Sequence, residues 1–329
     1  MTLVNRNQNK RECDGINLLI RRLMGCRSCL LLYPVIFLSG VILLVKLIIK
    51  FRTRWCRNKG LATLQPWSSP KRGARVILAC RDEARATEAR DRIVNETGNE
   101  NVVVKLVNFS SLASVKGFAK DILENEARLD ILVNNAGIGV AANKKTDSGL
   151  DYLMQVNHFG PVLLTILLAD LLKKSSPSRI VNVSSVMASF VKLDIDNLNS
   201  YGGNFSYSSS KLCNILFTMH LAKLLEKHNV TVYSVHPGAV NTEIFRKMKG
   251  LLKAVTEIFK SIVFKTAEEG AQTTIYAATE RGIEHLTGRH FVECRATSTY
   301  KSARDPNLPQ QLFDRTVELL QCEEEAKKI

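Results

Sequence analysis

The stretch Leu129-Asp-Ile-Leu-Val-Asn-Asn-Ala-Gly137 joins a short apolar run to a turn of small residues. The apolar run, Leu129 to Val133, predicts a buried strand. Asn134-Asn-Ala-Gly137 predicts a tight turn at the carboxyl end of that strand, where small side chains let a ligand approach the backbone. By itself, the turn is equally consistent with a plain connection between a strand and a helix. Its meaning therefore depends on the pattern along the rest of the chain.

Strand and helix patterns alternate on both sides of this stretch. Strands are predicted at 75–80, 102–107, 129–133, 179–183 and 230–235, and helices at 83–97, 112–126, 149–174 and 206–227. This alternation predicts a doubly wound parallel α/β sheet, because each parallel neighbour needs a crossover connection. Right-handed crossovers place the carboxyl ends of all the strands on one side of the sheet, where ligands bind.

Tyr207 and Lys211 form a candidate pair for proton transfer. They are four residues apart at the start of a long apolar-periodic segment, so on a helix they share one face. A free tyrosine titrates near roughly pH 10, and a lysine one turn away stabilises the phenolate. The pair is therefore a candidate general acid and base, although the same spacing also occurs by chance on many solvated helices.

Other polar residues follow the predicted strands. Ser185 comes after the strand at 179–183, where its hydroxyl can polarise a carbonyl oxygen or, as the commoner alternative, cap a helix. The strand at 230–235 opens into His236-Pro-Gly238, which is otherwise a simple chain reversal. Asn157 lies inside a predicted helix, where asparagine is slightly unfavourable. Each signal is weak alone, but their order and placement together are specific.

Basic residues are concentrated near the amino terminus. The net charge is +15, of which the first 72 residues carry +12 and the remaining 257 carry +3. This distribution argues against a nucleic-acid-binding face, so no nucleic-acid partner is predicted. Residues 29–49 contain one charge, Lys46, and predict a single transmembrane anchor. A buried core helix and a cleaved signal peptide are the alternatives. The positive charge after the span favours a cytosolic body.

These observations predict four segments. They are a basic leader at 1–28, the anchor at 29–49, a basic junction at 50–72 and one large domain at 73–329. The eight cysteines have irregular spacing, and the Cys-x-x-Cys pair has no second pair or paired histidines to complete a zinc site. No metal is therefore predicted, and free thiols are expected in a reducing compartment.

Residues 73–329 resemble a short-chain dehydrogenase/reductase of the membrane-anchored retinol dehydrogenase branch. The matching stretches are Arg75-Val-Ile-Leu-Ala-Cys-Arg-Asp82, Asn134-Asn-Ala-Gly137, Val181-Asn-Val-Ser-Ser185, Tyr207-Ser-Ser-Ser-Lys211, His236-Pro-Gly238 and Lys265-Thr-Ala-Glu-Glu-Gly-Ala-Gln-Thr273. The resemblance implies a Rossmann-like, NADP(H)-dependent oxidoreductase that interconverts retinol and retinal, or a similar lipophilic alcohol and aldehyde. It also implies a single-pass protein of the endoplasmic reticulum membrane with its catalytic body facing the cytosol, and a homodimer is one option.

The resemblance also assigns roles to particular residues. It implies that Tyr207 donates and accepts the proton, that Lys211 lowers the pKa of Tyr207 and holds the nicotinamide ribose, that Ser185 orients the substrate oxygen, and that Asn157 supports a proton relay. Cofactor contacts are implied for Asn108, Asn134, Ala136, Gly137, Pro237, Gly238 and Thr242. Arg81 is implied to pair with a 2′-phosphate, with a solvated arginine as the alternative. Residues 245–264 would cover the substrate, although a plain packing helix fits the same pattern.

One feature of the family is missing. The family begins its domain with a strand, a Gly-x-x-x-Gly-x-Gly turn and a helix that bind the cofactor pyrophosphate, but none of the 18 glycines falls in that motif. We therefore expect the sheet to lack a central strand, to leave backbone groups unpaired and to bind the cofactor weakly. The alternative function is a catalytically silent membrane-anchored pseudoenzyme, or a product of splicing or an incomplete gene model.

Overall fold

The computed structural model describes residues 74–139, 144–200, 204–238 and 265–329. The predicted leader, anchor and junction, together with Thr242 and the segment 245–264, lie outside the described residues. Within those four ranges, no helix combines the length and the apolar character needed to cross a bilayer.

The described chain alternates between strands and helices. The strands are β1 Val76–Cys80, β2 Val102–Leu106, β3 Ile131–Asn134, β4 Ser178–Val183, β5 Val230–His236, β6 His290–Val292 and β7 Arg295–Thr297. The helices are α1 Glu83–Thr97, α2 Leu112–Asn125, α3 Tyr152–Met154, α4 Gly160–Leu167, α5 Ala169–Lys174, α6 Asn204–Leu225, α7 Ala267–Thr279, α8 Leu308–Leu320 and α9 Glu323–Ala326. The predicted Rossmann-like α/β fold with a parallel sheet is confirmed.

Local capping signals set several helix boundaries. The Asp82 side chain accepts a backbone N–H at the start of α1 at 3.1 Å, and α1 ends at Gly98, whose φ of 69° is a left-handed conformation that glycine adopts without strain. Ser111 caps α2, and Thr266 and Glu269 form a reciprocal capping box at α7. These caps satisfy backbone donors that a helix leaves unpaired at its start.

The sheet is divided in two. β1 and β2 form a parallel pair, and β3-β4-β5-β6-β7 form a second sheet in which only β7 runs antiparallel to its neighbour. Among the described strands, β1 pairs only with β2, and the outer edge of β3 pairs with no strand. A cavity of about 1620 Å³ is lined by residues 74–82 and 128–138, which include both open edges. We call this cavity the strand gap, and it lies where the resemblance indicates a missing central strand.

Side chains of three helices also line the strand gap. Phe118 of α2, Leu164 of α4 and Ile275 of α7 contribute apolar surface to it. Val133 of β3 lies on the gap and is 39% exposed, which is unusual for a strand of a parallel sheet because helices normally bury both of its faces. Among the described residues, the strand gap therefore leaves apolar side chains as well as strand edges uncovered.

Helices cover both faces of the larger sheet. Ile180 and Val232 belong to the larger apolar cluster, which includes residues of α2, α4, α6 and α8. Their sequence neighbours, Val181 and Tyr233, belong to a second cluster with residues of α7. Because successive side chains of a strand point to opposite faces, this alternation places one cluster on each side of the sheet.

The predicted helix at 149–174 differs from the observed one. The helical stretch begins at Tyr152, passes through a π-helical turn at Gln155–Phe159 and is interrupted again at Leu168. Asn157 lies in the π-helical turn, and its side chain binds the backbone of Ile138. Such single wide turns are frequent at functional sites.

One of the described cysteines is not the free thiol that the sequence predicts. Cys80, Cys213 and Cys322 are free, whereas Cys294 is disulfide-bonded. The irregular spacing does not predict this bond, because sequence spacing alone does not show which sulfur atoms lie within bonding distance.

Candidate active site

The four predicted catalytic residues lie around the carboxyl end of β4. Ser185 follows β4, Tyr207 and Lys211 lie in the first two turns of α6, and Asn157 lies in the π-helical turn. Ser185 also caps the 3-10 turn Val186–Phe190, where its Oγ accepts a backbone N–H at 3.2 Å. The capping and catalytic interpretations of this serine are therefore compatible.

The Ser185 hydroxyl lies near the Tyr207 phenol. Burial of the ring raises the pKa of Tyr207, and the polar influence of the Ser185 hydroxyl lowers it by a smaller amount. The implied lowering of this pKa by Lys211 is therefore not seen in the structure. The Lys211 Nζ lies 5.8 Å from the centroid of the tyrosine ring, and the desolvation of the phenol outweighs any stabilisation of the phenolate.

Lys211 is buried and anchored by the end of β4. Its Nζ donates to the Val183 carbonyl at 3.1 Å, and its own carbonyl accepts from the Ser184 hydroxyl at 2.6 Å. Burial lowers the pKa of Lys211 to about 8, because no carboxylate offsets the loss of hydration. The ammonium group therefore holds its proton less tightly than an exposed lysine does.

Asn157 connects the turn after β3 to α6. Its side chain accepts from the Ile138 N–H at 2.8 Å and donates to the Ile138 carbonyl at 3.0 Å. The same amide donates to the Ser210 hydroxyl at 3.1 Å, which in turn donates to the Tyr207 carbonyl at 2.7 Å. This chain of bonds fixes the position of the turn relative to the first turn of α6.

Gly137 allows that turn to approach the catalytic residues. A Cβ atom at this position would lie 3.3 Å from both the Asn157 Oδ1 and the Lys211 Nζ, which is closer than ordinary van der Waals contact. The close packing at Gly137 therefore gives a reason for small residues in this turn, besides the predicted approach of a ligand.

The predicted cofactor residues divide into two groups. Five of them line the strand gap, namely Arg81, Asn108, Asn134, Ala136 and Gly137. Pro237 and Gly238 follow β5, where Gly238 has a φ of 91° and an added Cβ would lie 2.7 Å from the Lys265 side chain.

Two asparagines in the first group are engaged within the protein. The Asn134 side chain donates to Asn182 at 2.8 Å and to Thr165 at 3.0 Å, so its amide N–H groups point into the core. The Asn108 Oδ1 accepts from both the backbone and the hydroxyl of Ser110. Arg81, in contrast, is exposed at the end of β1.

A nicotinamide cofactor fits one end of this site better than the other. Tyr207, the buried Lys211 and the close approach at Gly137 suit a ribose and a nicotinamide ring at the end of β4. The pyrophosphate end lies at the strand gap, where the described residues provide no glycine-rich turn and no helix N-terminus from a first strand-turn-helix unit.

Four residues that the sequence did not single out contribute to the site. Ser184 and Ser210 bind the backbone of α6, and His158 and Asn214 form a buried hydrogen-bonded pair. Asn214 follows Lys211 by three residues and His158 is the neighbour of Asn157, so helical spacing places them nearby. Their mutual contact joins positions 56 residues apart, and no local pattern indicates it.

Comparison with known proteins identifies the family of the chain. The sequence profile of the short chain dehydrogenase family matches residues 68–250. Retinol dehydrogenase 14 of Homo sapiens is 40% identical over 275 residues, covering 78% of this chain and 82% of the relative. Retinol dehydrogenase 12 of Homo sapiens is 40% identical over 266 residues, covering 80% and 84%.

A solved structure supports the same assignment. The active-site complex of RhlG with NADP from Pseudomonas aeruginosa is 26% identical, with a TM-score of 0.52 and coverage of 68% of this chain and 86% of that one. The folds agree, and the family profile covers more than half of the chain. The chain therefore belongs to the short-chain dehydrogenase family of oxidoreductases, in its retinol dehydrogenase branch.

Proposed function

We propose that this protein is an NADP(H)-dependent enzyme that interconverts retinol and retinal or a similar lipophilic alcohol and aldehyde. The observation that carries the proposal is the meeting of Tyr207, the neighbouring Ser185 hydroxyl and the buried Lys211 at the end of β4, with the Lys211 Nζ 5.8 Å from the centroid of the Tyr207 ring. Proton transfer at the substrate oxygen needs such a positioned acid and base.

Each catalytic residue has a distinct task in this mechanism. In aldehyde reduction, the Tyr207 hydroxyl donates its proton to the carbonyl oxygen, and the Ser185 hydroxyl donates a hydrogen bond to the same oxygen as negative charge develops there. Lys211, with its pKa lowered to about 8 by burial, would hold the nicotinamide ribose, and an effect of its charge on the Tyr207 phenolate would arise only with the cofactor bound. The bound nicotinamide cofactor supplies the hydride in this direction and accepts it in the reverse direction.

Preference for NADP(H) rests on Arg81. This exposed arginine lines the strand gap directly after β1, where it can pair with a 2′-phosphate. RhlG, with the same fold, is described in complex with NADP. We expect Arg81→Ala to weaken NADPH binding while leaving NADH binding almost unchanged, and an equal loss for both cofactors would contradict the proposed pairing.

A lipophilic substrate agrees with the surface beside Ser185 and Tyr207. Phe190, in the 3-10 turn after Ser185, is 73% exposed, and Phe205, two residues before Tyr207, is 67% exposed. Val186 and Met187, in the same 3-10 turn as Phe190, are each 41% exposed. Exposed apolar patches commonly mark binding sites for apolar partners, and the names of the relatives include retinol.

The remaining expectations concern location and assembly. We propose that residues 29–49 anchor the protein in the endoplasmic reticulum membrane as a single span, with the body facing the cytosol. The support is the apolar run with its basic flanks. We also propose that the protein forms a homodimer.

The silent pseudoenzyme is not favoured, because Ser185, Tyr207 and Lys211 are all present in a chain that belongs to an oxidoreductase family.

The decisive experiment is a fluorescence titration of the detergent-solubilised full chain with NADPH. The control carries an inserted strand, glycine-rich turn and helix between residues 70 and 71. We expect saturable binding by both proteins, with weaker binding by the native chain because its pyrophosphate contacts are reduced. Binding by the control alone, with no turnover by the native chain, would reject an active enzyme and favour the silent alternative.

Tyr207→Phe tests the chemistry separately from cofactor binding. Turnover of all-trans-retinal should fall about a hundredfold or more, because general acid catalysis is lost, while NADPH affinity is retained. Tyr300→Phe is the matched control, since Tyr300 is half-buried and its ring packs on His290. Unchanged turnover in Tyr207→Phe would remove Tyr207 from the mechanism.

A further inference from the structure

A buried histidine lies next to Asn157, and the mechanism above does not use it. His158 is fully buried in the π-helical turn, where its ring packs near Phe159 and Phe217. Its Nδ1 lies 3.2 Å from the Asn214 Oδ1, and its Nε2 lies 3.2 Å from the Thr316 Oγ1 of α8. Both ring nitrogens are therefore paired inside the core.

The bonds of Asn214 decide which nitrogen of His158 carries the proton. The Asn214 Nδ2 donates to the Val183 carbonyl at 3.1 Å and to the Asn157 carbonyl at 3.2 Å. Carbonyl oxygens only accept, so the amide orientation is fixed and the Asn214 Oδ1 faces the imidazole. His158 must then donate from Nδ1, and its Nε2 accepts the Thr316 hydroxyl proton.

The last acceptor of these hydrogen bonds is the Val183 carbonyl, which also binds Lys211. The Val183 carbonyl accepts from both Asn214 and the Lys211 Nζ, each at 3.1 Å. Burial lowers the pKa of His158 to about 4, so the imidazole is neutral near pH 7 and keeps one acceptor nitrogen for Thr316. A directed series of hydrogen bonds therefore runs from α8 through the π-helical turn to the end of β4.

We propose that His158 and Asn214 are positioning residues of the active site. The Nδ1-protonated imidazole of His158 adds a third bond to the amide of Asn214 and holds it in place, and Asn214 shares the Val183 carbonyl with Lys211 and so influences the environment of the lysine. The catalytic meaning of this inference rests on the proposed function, but the hydrogen-bond series itself can be measured without turnover.

The sign of the expected effect follows from the geometry. Without a donor at position 158, the Asn214 Oδ1 loses its partner, and the amide is held only by its bonds to the Asn157 and Val183 carbonyls. If the amide then shifts and donates less strongly to the Val183 carbonyl, that carbonyl accepts more strongly from the Lys211 Nζ, so the pKa of Lys211 should rise from about 8. The loss of one neutral hydrogen bond should also lower turnover about five- to tenfold.

The first measurement uses the unmodified full chain. Long-range proton-nitrogen NMR of histidine-labelled protein in detergent should show the His158 ring protonated at Nδ1 at pH 7. The His158 signal is assigned by its loss in His158→Gln. Protonation at Nε2 would overturn the proposal without any need for a variant to be active.

Three variants then separate positioning from packing. His158→Phe keeps an aromatic ring but removes the donor, His158→Gln restores an N–H donor, and Phe217→Leu removes only ring packing. In lysine-labelled protein, the Lys211 pKa should rise in His158→Phe and stay near its native value in the other two. The proposal would be overturned if the Lys211 pKa changed equally in all three variants, or if it did not change in His158→Phe. Failure of NADPH binding would instead count against the proposed function alone.

Discussion

Gly160 begins α4 directly after the π-helical turn, and its replacement tests how tightly that turn is packed. A Cβ atom at this position would lie 2.9 Å from the Phe109 Cδ1, 3.0 Å from the Gln155 carbonyl oxygen and 3.1 Å from the Phe109 carbonyl oxygen. Two of these neighbours are backbone atoms, which cannot move aside as a flexible side chain can. The Gln155 side chain also donates to the Phe109 carbonyl at 3.2 Å, so the neighbouring segments are held together.

The expected magnitude follows from two opposing effects. Overpacking of a tight site costs about 1 to 3 kcal/mol, whereas alanine in place of a helical glycine contributes up to about 1 kcal/mol of stability. Gly160→Ala should therefore lower the free energy of unfolding by about 1 to 2 kcal/mol. Gly117 of α2 is the matched control, because nothing lies within 4 Å of a Cβ added there. Gly117→Ala should raise stability by about 0.5 to 1 kcal/mol.

Urea denaturation of the two variants and the native chain, followed by far-ultraviolet circular dichroism at pH 7, measures both effects. The midpoints should move in opposite directions, with similar slopes. A Gly160→Ala protein as stable as the native chain would show that the turn relaxes easily and would refute the close packing inferred around Asn157. A Gly117→Ala protein that is less stable than the native chain would show that open space around the added Cβ does not predict which glycines tolerate alanine.

Three further outcomes are expected. The pKa of His158 is about 4 in the folded chain and near 6.5 when unfolded, so its contribution to stability should be lost as pH falls from about 6.5 towards 4, by up to about 3 kcal/mol. Because His236 and His290 also have pKa values of about 4, urea unfolding of the native chain and His158→Gln at each pH measures this contribution as their difference. Ser184→Ala removes the buried bond to the Lys211 carbonyl and should cost about 1 to 3 kcal/mol in the same assay, so an unchanged midpoint would contradict that bond's contribution. Val133→Lys, at the open edge of β3, should reduce self-association in light scattering more than Leu123→Lys on α2, and equal effects would exclude the strand edge as the cause.

The strands and the motifs at their ends could be predicted from the sequence, because each depends on a short local pattern of residues. The five parallel strands through β5 follow from short apolar runs, and the site around Ser185, Tyr207 and Lys211 follows from motifs at the strand ends. The strand gap was also predictable, because the glycine motif that accompanies a first strand is absent from the chain.

Other features depend on contacts that no local pattern records. Asparagine at position 134 is typical of a ligand-facing turn, but its side chain finds partners on β4 and α4 instead. The raised pKa of Tyr207 reflects how deeply the ring is buried, which spacing along a helix does not determine. The bond between His158 and Thr316 likewise joins distant parts of the chain.

The strand gap also divides the chain into regions that need not open together. No backbone hydrogen bonds between described strands join β1 and β2 to the other five, and that end of the domain is held by α2 and by the bidentate ion pair of Arg75 with Glu126. Cooperative units with fewer shared bonds unfold locally at lower free energy. Backbone amides of β1 and β2 should therefore exchange with deuterium earlier than those of β4 and β5, so that the end proposed to bind the adenine half loosens while the candidate catalytic residues stay in place.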